Sequence, residues 1–131
     1  MVDILIVDDD RLTRAILRRM FTSVGYTVME ADNGLDGLDL LEAESPQEVL
    51  LDLHMPRMDG IAFARQLQLL PSIDPPHLIF MSASVPIHPI DVGQRATLSK
   101  PFDVEQLLGL VAELVPPPYV LPVMREQVVG R

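Results

Sequence analysis

Two apolar runs of this chain end in acidic side chains. The run 4–7 is followed by the acidic triplet 8–10, and a second apolar run, 48–52, closes with Asp52. If both runs are neighbouring parallel strands, their ends bring these carboxylates together at one edge of a sheet. Two carboxylates about 4 Å apart repel by roughly 4 kcal/mol near a protein surface. The pattern therefore predicts a bound divalent cation, and Mg²⁺ suits it best because Mg²⁺ prefers hard oxygen ligands.

Two later apolar runs end in other polar groups. Ser82 ends one run with a hydroxyl, and Lys100, followed by Pro101, comes after another. A carboxylate, a hard cation, a hydroxyl and an ammonium together suit a phosphoryl group carried on a carboxylate. Catalysis of phosphoryl transfer consists mainly of positioning and charge neutralisation, which such groups can provide.

The elements that position these residues follow a repeating order. Apolar runs predict strands at 4–7, 26–30, 48–53, 77–82 and 96–99, and segments of helical period lie between them. Repeated strand-helix units predict an α/β fold with a doubly wound parallel sheet of five strands. In the flavodoxin-like (βα)5 order 2-1-3-4-5, ligands bind where the strand order reverses, between strands one and three. Those are the two strands that end in acidic residues.

The predicted helices have recognisable faces and caps. In the first helix, Leu12, Ala15, Ile16 and Met20 fall on one face. Asp10, Asn33 and Asp59 are predicted N-caps of the first three helices, because their side chains can accept hydrogen bonds from the first turn. The last helix carries an apolar stripe from Val104 to Val115. The basic residues of the first helix are interpreted as a solvated face: Arg11, Arg14, Arg18 and Arg19.

Length and composition limit the class of protein. The chain has 131 residues, enough for one domain, and its formal net charge of −9 argues against a general affinity for nucleic acid. It contains no cysteine, no helix-turn-helix segment and no P-loop, and no apolar run is long enough to span a membrane. A cytoplasmic protein that contacts neither membrane nor nucleic acid is expected.

With these motifs in order, the chain resembles the receiver domains of two-component response regulators, from Ile4 to about Val115. The resemblance rests on four motifs: Val7-Asp8-Asp9-Asp10, Leu51-Asp52-Leu53-His54-Met55-Pro56 with Met58-Asp59-Gly60, Ser82-Ala83, and Lys100-Pro101-Phe102. It implies a receiver domain at 1–115 and a Pro-rich linker or tail at 116–131. It also implies a signalling domain, not an enzyme, that catalyses only its own phosphorylation and dephosphorylation.

The resemblance implies a role for each site residue. Asp52 would accept a phosphoryl group from a phosphohistidine. Asp8, Asp9, Asp52 and the backbone carbonyl of His54 would hold Mg²⁺, or Mn²⁺ in its place. The remaining two catalytic residues are Ser82, which would hydrogen-bond the phosphoryl group, and Lys100, which would pair with a phosphoryl oxygen and precede a cis peptide bond.

The resemblance also implies the partners. These are a sensor histidine kinase or a phosphotransfer protein, an output domain or downstream protein, and a second copy of the chain in a homodimer. Two alternatives remain at this stage. One is a receiver-fold interaction module that signals without phosphorylation. The other is a phosphohydrolase of the haloacid dehalogenase type, which requires a second aspartate two positions after the nucleophile, where this chain has His54.

The chain departs from the family pattern at two places. Thr97 occupies the position where the family usually carries Tyr or Phe, so the usual coupling between the hydroxyl residue and an aromatic ring is not expected. Pro86 and Pro89 disfavour helix between Ser82 and Lys100, and the fourth helix is expected to be short, displaced or absent. Partners are therefore expected on the first and last helices.

Overall fold

A single five-stranded parallel sheet organises the computed structural model, which describes residues 2–55, 58–70, 75–83 and 93–117. The strands are β1 (Ile4–Val7), β2 (Val28–Ala31), β3 (Glu48–Asp52), β4 (His77–Ser82) and β5 (Ala96–Ser99). The described helices are α1 (Arg11–Ser23), α2 (Gly34–Glu44), α3 (Gly60–Leu69) and α4 (Val104–Leu114). The strand order is β2-β1-β3-β4-β5, as predicted.

Helices cover both faces of the sheet, because successive side chains of each strand point to opposite sides. On β1, Ile4 and Ile6 pack toward α1 and α4. Leu5 and Val7, which alternate with them, pack toward α2 and α3. All four side chains are buried, so β1 lies at the centre of two cores. This arrangement confirms the doubly wound, flavodoxin-like α/β fold.

Each described helix begins next to a side chain that caps its N-terminus. Asp10, Asn33 and Asp59 accept hydrogen bonds from backbone N–H groups in the first turns of α1, α2 and α3. Asp103 caps α4 in the same way. The three predicted caps are confirmed. They fix the points at which the chain turns away from the carboxyl edge of the sheet.

Strand β2 begins at Val28, later than the predicted start at Tyr26. The N–H of Tyr26 donates to a carbonyl at the end of α1 and so closes that helix. The N–H of Thr27 donates to Asp3 Oδ2 at 2.8 Å. Because both N–H groups already have partners, neither joins the ladder between β1 and β2, although the Thr27 carbonyl accepts from Ile4 N at 3.0 Å.

Helix α1 buries a different face from the one that its apolar pattern indicates. Leu17 and Phe21 are fully buried and share a helix face with Arg14, which contacts the end of β1. Anchoring Arg14 at the sheet turns the apolar stripe outward. The residues of that stripe lie largely in solvent: Leu12, Ala15 and Ile16 are exposed, and Met20 is half-buried.

A carboxyl group is buried at the opposite end of β3 from Asp52. Glu48 has no exposed surface, and its neighbours in the sheet are Ile4 on β1 and His77 on β4. Neither carboxylate oxygen has a hydrogen-bond partner among the described residues. Burial raises the pKa of Glu48 to about 8, against an opposing effect of the Arg95 charge. At neutral pH the folded chain therefore holds this group mostly protonated.

Two predictions concern residues outside the described part of the chain. The fourth helix, expected to be short, displaced or absent, would fall largely on residues 84–92. The Pro-rich segment 116–131 is described only through Pro117. Among the described helices, none combines the length and the apolar character that crossing a membrane requires.

Candidate functional site

The ends of β1 and β3 bring the predicted acidic residues together. The two strands are parallel neighbours, and Val7 pairs with Leu51, so Asp8 and Asp52 follow at the same level. Asp8, Asp9 and Asp52 each offer a carboxylate oxygen, and these three atoms lie within 4.8 Å of one another. We refer to these three side chains as the acidic site.

Asp8 is held at both its carboxylate oxygens and at both its backbone groups. Its Oδ1 accepts from Asp10 N at 2.8 Å, and its Oδ2 accepts from Lys100 Nζ at 2.7 Å. Its N–H donates to Ala31 O at 3.1 Å, and its carbonyl accepts from the Arg14 guanidinium at 2.7 Å. This completely buried carboxylate is therefore fixed in one orientation.

Asp52 is buried, with 5% of its surface exposed, at the carboxyl end of β3. Burial raises the pKa of Asp52, although the hydrogen bond from His54 N to its Oδ1, at 3.2 Å, acts in the opposite direction. The negative charge of Asp8 raises the pKa further, while the positive charge of Lys100 lowers it. The net effect raises the pKa of Asp52. A divalent ion nearby would lower this pKa again and so stabilise the charged carboxylate.

Lys100 supplies the positive charge that the described structure places against the acidic site. Its Nζ lies 2.7 Å from Asp8 Oδ2 and 3.6 Å from Asp52 Oδ2. Desolvation lowers the pKa of Lys100, but the hydrogen bond and the charge of Asp8, together with the charge of Asp52, outweigh it and raise the pKa. The ammonium therefore stays charged. The peptide bond between Lys100 and Pro101 is cis, as the resemblance implies.

Ser82 and His54 flank the acidic site on neighbouring segments. Ser82 ends β4 and is buried, and its carbonyl accepts from Lys100 N at 2.7 Å, which links the ends of β4 and β5. The His54 backbone N–H bonds Asp52, while the His54 residue as a whole is exposed. The predicted role of the His54 carbonyl as a metal ligand stays a prediction.

Close backbone packing holds the start of α3 against the end of β3. Gly60 N donates to Leu53 O at 3.0 Å and brings the start of α3 against the end of β3. A Cβ atom at Gly60 would lie 2.5 Å from the carbonyl oxygen of Asp52 and 2.8 Å from Leu53 Cα. Only glycine fits at this position without moving the backbone of the phosphoacceptor candidate.

One residue near the site, Arg14, was not predicted from the sequence. Interpreted as part of a solvated basic face, it instead has only 15% of its side chain exposed. It bonds the carbonyl of Asp8 and, through Nε at 3.2 Å, Glu30 on β2. The prediction of a solvated face was therefore wrong for Arg14. The available signal was its position in the first helical turn after the strand end, since helical side chains lean toward the N-terminus.

The chemistry of the donors fits a hard divalent cation. All three side chains of the acidic site are carboxylates, and their oxygen atoms are close enough to share one ion. Among the described residues, Lys100 contacts two of these three carboxylates, so the side chains of the site carry more negative than positive charge. Mg²⁺ prefers few protein carboxylates and keeps water molecules, and the exposed Asp9 leaves one side of the site open to solvent.

Comparison with known proteins assigns the family. A family model described as "Response regulator receiver domain" matches residues 4–112. The chain is 40% identical over 117 residues to Response regulator MprA of Mycolicibacterium vanbaalenii, an alignment that covers 87% of this chain and 50% of that protein. The chain therefore spans about half the length of the curated relatives it matches.

Solved structures show the same fold. The signal receiver domain of a response regulator from Bermanella marisrubri is 30% identical, with a TM-score of 0.73 over 86% of this chain and 97% of that one. The signal receiver domain of a DNA binding response regulator protein from Colwellia psychrerythraea is 25% identical, with a TM-score of 0.79 over 88% and 98%. The chain thus belongs to the response regulator receiver domain family, signalling domains whose standard role is two-component signalling by phosphorylation.

Proposed function

We propose that Asp52 is the phosphoacceptor of this receiver domain and that it takes its phosphoryl group from a phosphohistidine on a sensor kinase or a phosphotransfer protein. The observation that carries the proposal is the convergence of Asp8, Asp9 and Asp52, with Lys100 in contact with Asp8 and Asp52. Three carboxylates that meet at one strand edge repel one another, and a bound cation would offset this repulsion.

In this proposal, an Asp52 oxygen attacks phosphorus as the bond from phosphorus to the histidine nitrogen breaks. Asp8, Asp9, Asp52 and the carbonyl of His54 would hold Mg²⁺ or Mn²⁺. The ion, when bound, would supply positive charge for the phosphoryl oxygens. The chain in this way catalyses its own phosphorylation, and hydrolysis of the acyl phosphate resets it.

Two further side chains receive the phosphoryl group. Lys100 pairs with one of its oxygens, a role supported by the 3.6 Å separation between Lys100 Nζ and Asp52 Oδ2 in the unphosphorylated chain. The Ser82 hydroxyl donates to another oxygen from the buried end of β4, next to β3. Both residues position charge and donors before the reaction, which is the main contribution of a protein to phosphoryl transfer.

The sensor kinase or phosphotransfer protein is proposed to dock beside Lys100, on α1 and the start of α4. A groove there is lined by both polar and apolar side chains: Asp10, Thr13, Ile16, Lys100, Pro101, Phe102 and Val104. Ile16 is 50% exposed and Val104 42% exposed, so the rim offers apolar surface close to the acidic site. Regulation of an output domain and a homodimer remain predictions, and so does a cytoplasmic location.

The test is labelling of the full chain with acetyl phosphate and Mg²⁺, followed by intact mass. We expect the wild type to gain one phosphoryl group and to gain none after chelation of the metal. Asp52→Asn should gain none. Asp59→Asn, which changes an exposed carboxylate in the same segment, should label like the wild type. Equal labelling of Asp52→Asn and the wild type would contradict the proposed role of Asp52.

A second candidate, an interaction module that signals without phosphorylation, is favoured by one observation. Thr97 is exposed on β5, where the family usually has an aromatic residue. The described structure therefore has no aromatic ring at this position that could move when the Ser82 side chain moves. A wild-type chain that takes up no phosphoryl group while it remains folded would support this candidate.

A further inference from the structure

The Arg14 side chain joins three elements next to the acidic site. Its guanidinium donates to Asp8 O at 2.7 Å and, through Nε, to Glu30 Oε1 on β2 at 3.2 Å. Glu30 also accepts from Arg18 Nη1 at 3.0 Å, so its carboxylate is shared between two arginines of α1. Only Arg14 of these two contacts the chain at the end of β1.

The contact with Asp8 O bears on Asp9 through the geometry of the peptide unit. The carbonyl of Asp8 and the Cα atom of Asp9 lie in one rigid plane. A donor that fixes the carbonyl therefore fixes the position of Asp9 Cα, the atom from which the Asp9 side chain leaves the backbone. Asp9 itself is exposed, so packing does little to orient it.

The other contacts of Asp8 do not replace this one. Its carboxylate is held by Asp10 N and Lys100 Nζ, and its N–H by Ala31 O. None of these groups contacts the peptide plane between Asp8 and Asp9 from the carbonyl side. The hydrogen bond from Asp10 N to Asp8 Oδ1 spans this peptide unit and limits its rotation, whereas the bond from Arg14 holds the carbonyl itself.

We propose that Arg14, oriented by Glu30, is a positioning residue that holds the peptide between Asp8 and Asp9 so that the Asp9 carboxylate faces the cation. This inference rests on the proposed function, because it assumes that the acidic site binds Mg²⁺. Removal of a group that hydrogen-bonds to metal ligands and orients them commonly lowers metal affinity by about ten- to a hundredfold.

The sign of the effect separates this role from simple electrostatics. Arg14 is a positive charge near a cation site, so its removal should by Coulomb's law strengthen Mg²⁺ binding. Loss of positioning predicts the opposite, a weaker site. Arg18 provides a matched control, since it lies on the same helix, carries the same charge and bonds the same Glu30.

The experiment compares the wild type, Arg14→Met and Arg18→Met by NMR titration of backbone amides with MgCl₂. We expect the Mg²⁺ dissociation constant to rise about tenfold in Arg14→Met, and to stay within about twofold of the wild type or to fall in Arg18→Met. Labelling by acetyl phosphate should need correspondingly more Mg²⁺ in Arg14→Met. It should approach the wild-type rate when Mg²⁺ is saturating.

Arg14→Lys serves as a second variant that keeps the charge and favours a folded chain. A single ammonium cannot bond Asp8 O and Glu30 in the manner of a planar guanidinium, so an intermediate dissociation constant is expected. A dissociation constant in Arg14→Met equal to or below that of the wild type would overturn the proposal for Arg14 alone. A wild type that binds no Mg²⁺ would overturn the proposed function as well.

Discussion

The ammonium of Lys100 lies 2.7 Å from Asp8 Oδ2, across 92 residues of sequence. The same atom is 3.6 Å from Asp52 Oδ2, so in the unphosphorylated chain it pairs mainly with Asp8. This pairing offsets part of the repulsion between the two carboxylates. It also leaves the ammonium within reach of a group that forms on Asp52.

The first prediction concerns this ion pair. Lys100→Met leaves the buried Asp8 without its counter-charge, and we expect the free energy of unfolding without Mg²⁺ to fall by about 2 to 3 kcal/mol. Urea denaturation measures the change. The double variant Lys100→Met/Asp8→Asn should lose less, because it removes both charges. A double variant less stable than Lys100→Met would refute this explanation.

A second prediction concerns the backbone beside Asp52. A Cβ atom at Gly60 would collide with backbone atoms of Asp52 and Leu53, so Gly60→Ala should lower the free energy of unfolding by about 2 kcal/mol. Gly109 in α4 has no atom within 4 Å of an added Cβ. Gly109→Ala should therefore raise the free energy of unfolding by roughly 0.5 to 1 kcal/mol, through helix propensity. Equal effects of the two variants in thermal or urea unfolding would contradict the steric argument.

The third prediction is a pH dependence of stability that originates at Glu48. Its pKa is raised from 4.5 to about 8 in the folded chain, so the folded state keeps a proton that the unfolded state releases. Its contribution to the free energy of unfolding is therefore full below pH 4.5 and decreases as the pH rises to about 8. Glu48→Gln should be more stable than the wild type at pH 8 by a few kcal/mol, at about 1.4 kcal/mol per pKa unit.

The difference between Glu48→Gln and the wild type, measured by urea denaturation across this pH range, isolates the titration of Glu48. Glu42→Gln, which changes an exposed glutamate on α2, is the control and should follow the wild type at each pH. A constant difference between Glu48→Gln and the wild type across the range would show that Glu48 is ionised in the folded chain throughout.

The fourth prediction concerns partner recognition. Ile16→Asp places a charge on the apolar rim of the groove between α1 and α4, and we expect it to slow phosphoryl transfer from a histidine kinase that phosphorylates the wild type by at least about tenfold. Labelling by acetyl phosphate should be unchanged, because Ile16 is not one of the residues of the acidic site. Leu69→Asp, at a position 75% exposed on α3, is the matched control. Equal slowing by both variants would locate docking elsewhere.

Local patterns in the sequence determined much of the fold and the membership of the site. The strands β4 and β5 were predicted with the bounds that the structure has, because each is too short for a helix and is bounded by proline or polar residues. The caps Asp10, Asn33 and Asp59 were also predicted, because a cap depends only on the next few residues. Strand order then placed Asp8 and Asp52 at one edge.

Tertiary structure alone decided which faces and which partners those elements use. The apolar stripe of α1 that includes Ile16 faces solvent, because Leu17 and Phe21 fill the space beside β1 and Arg14 is anchored at its end. The burial of Glu48 depends on the strands on either side of it. The contacts of Lys100 with Asp8 and of Arg14 with Asp8 join residues on different elements. Periodicity along one chain segment cannot specify such contacts, since they depend on how all five strands pack together.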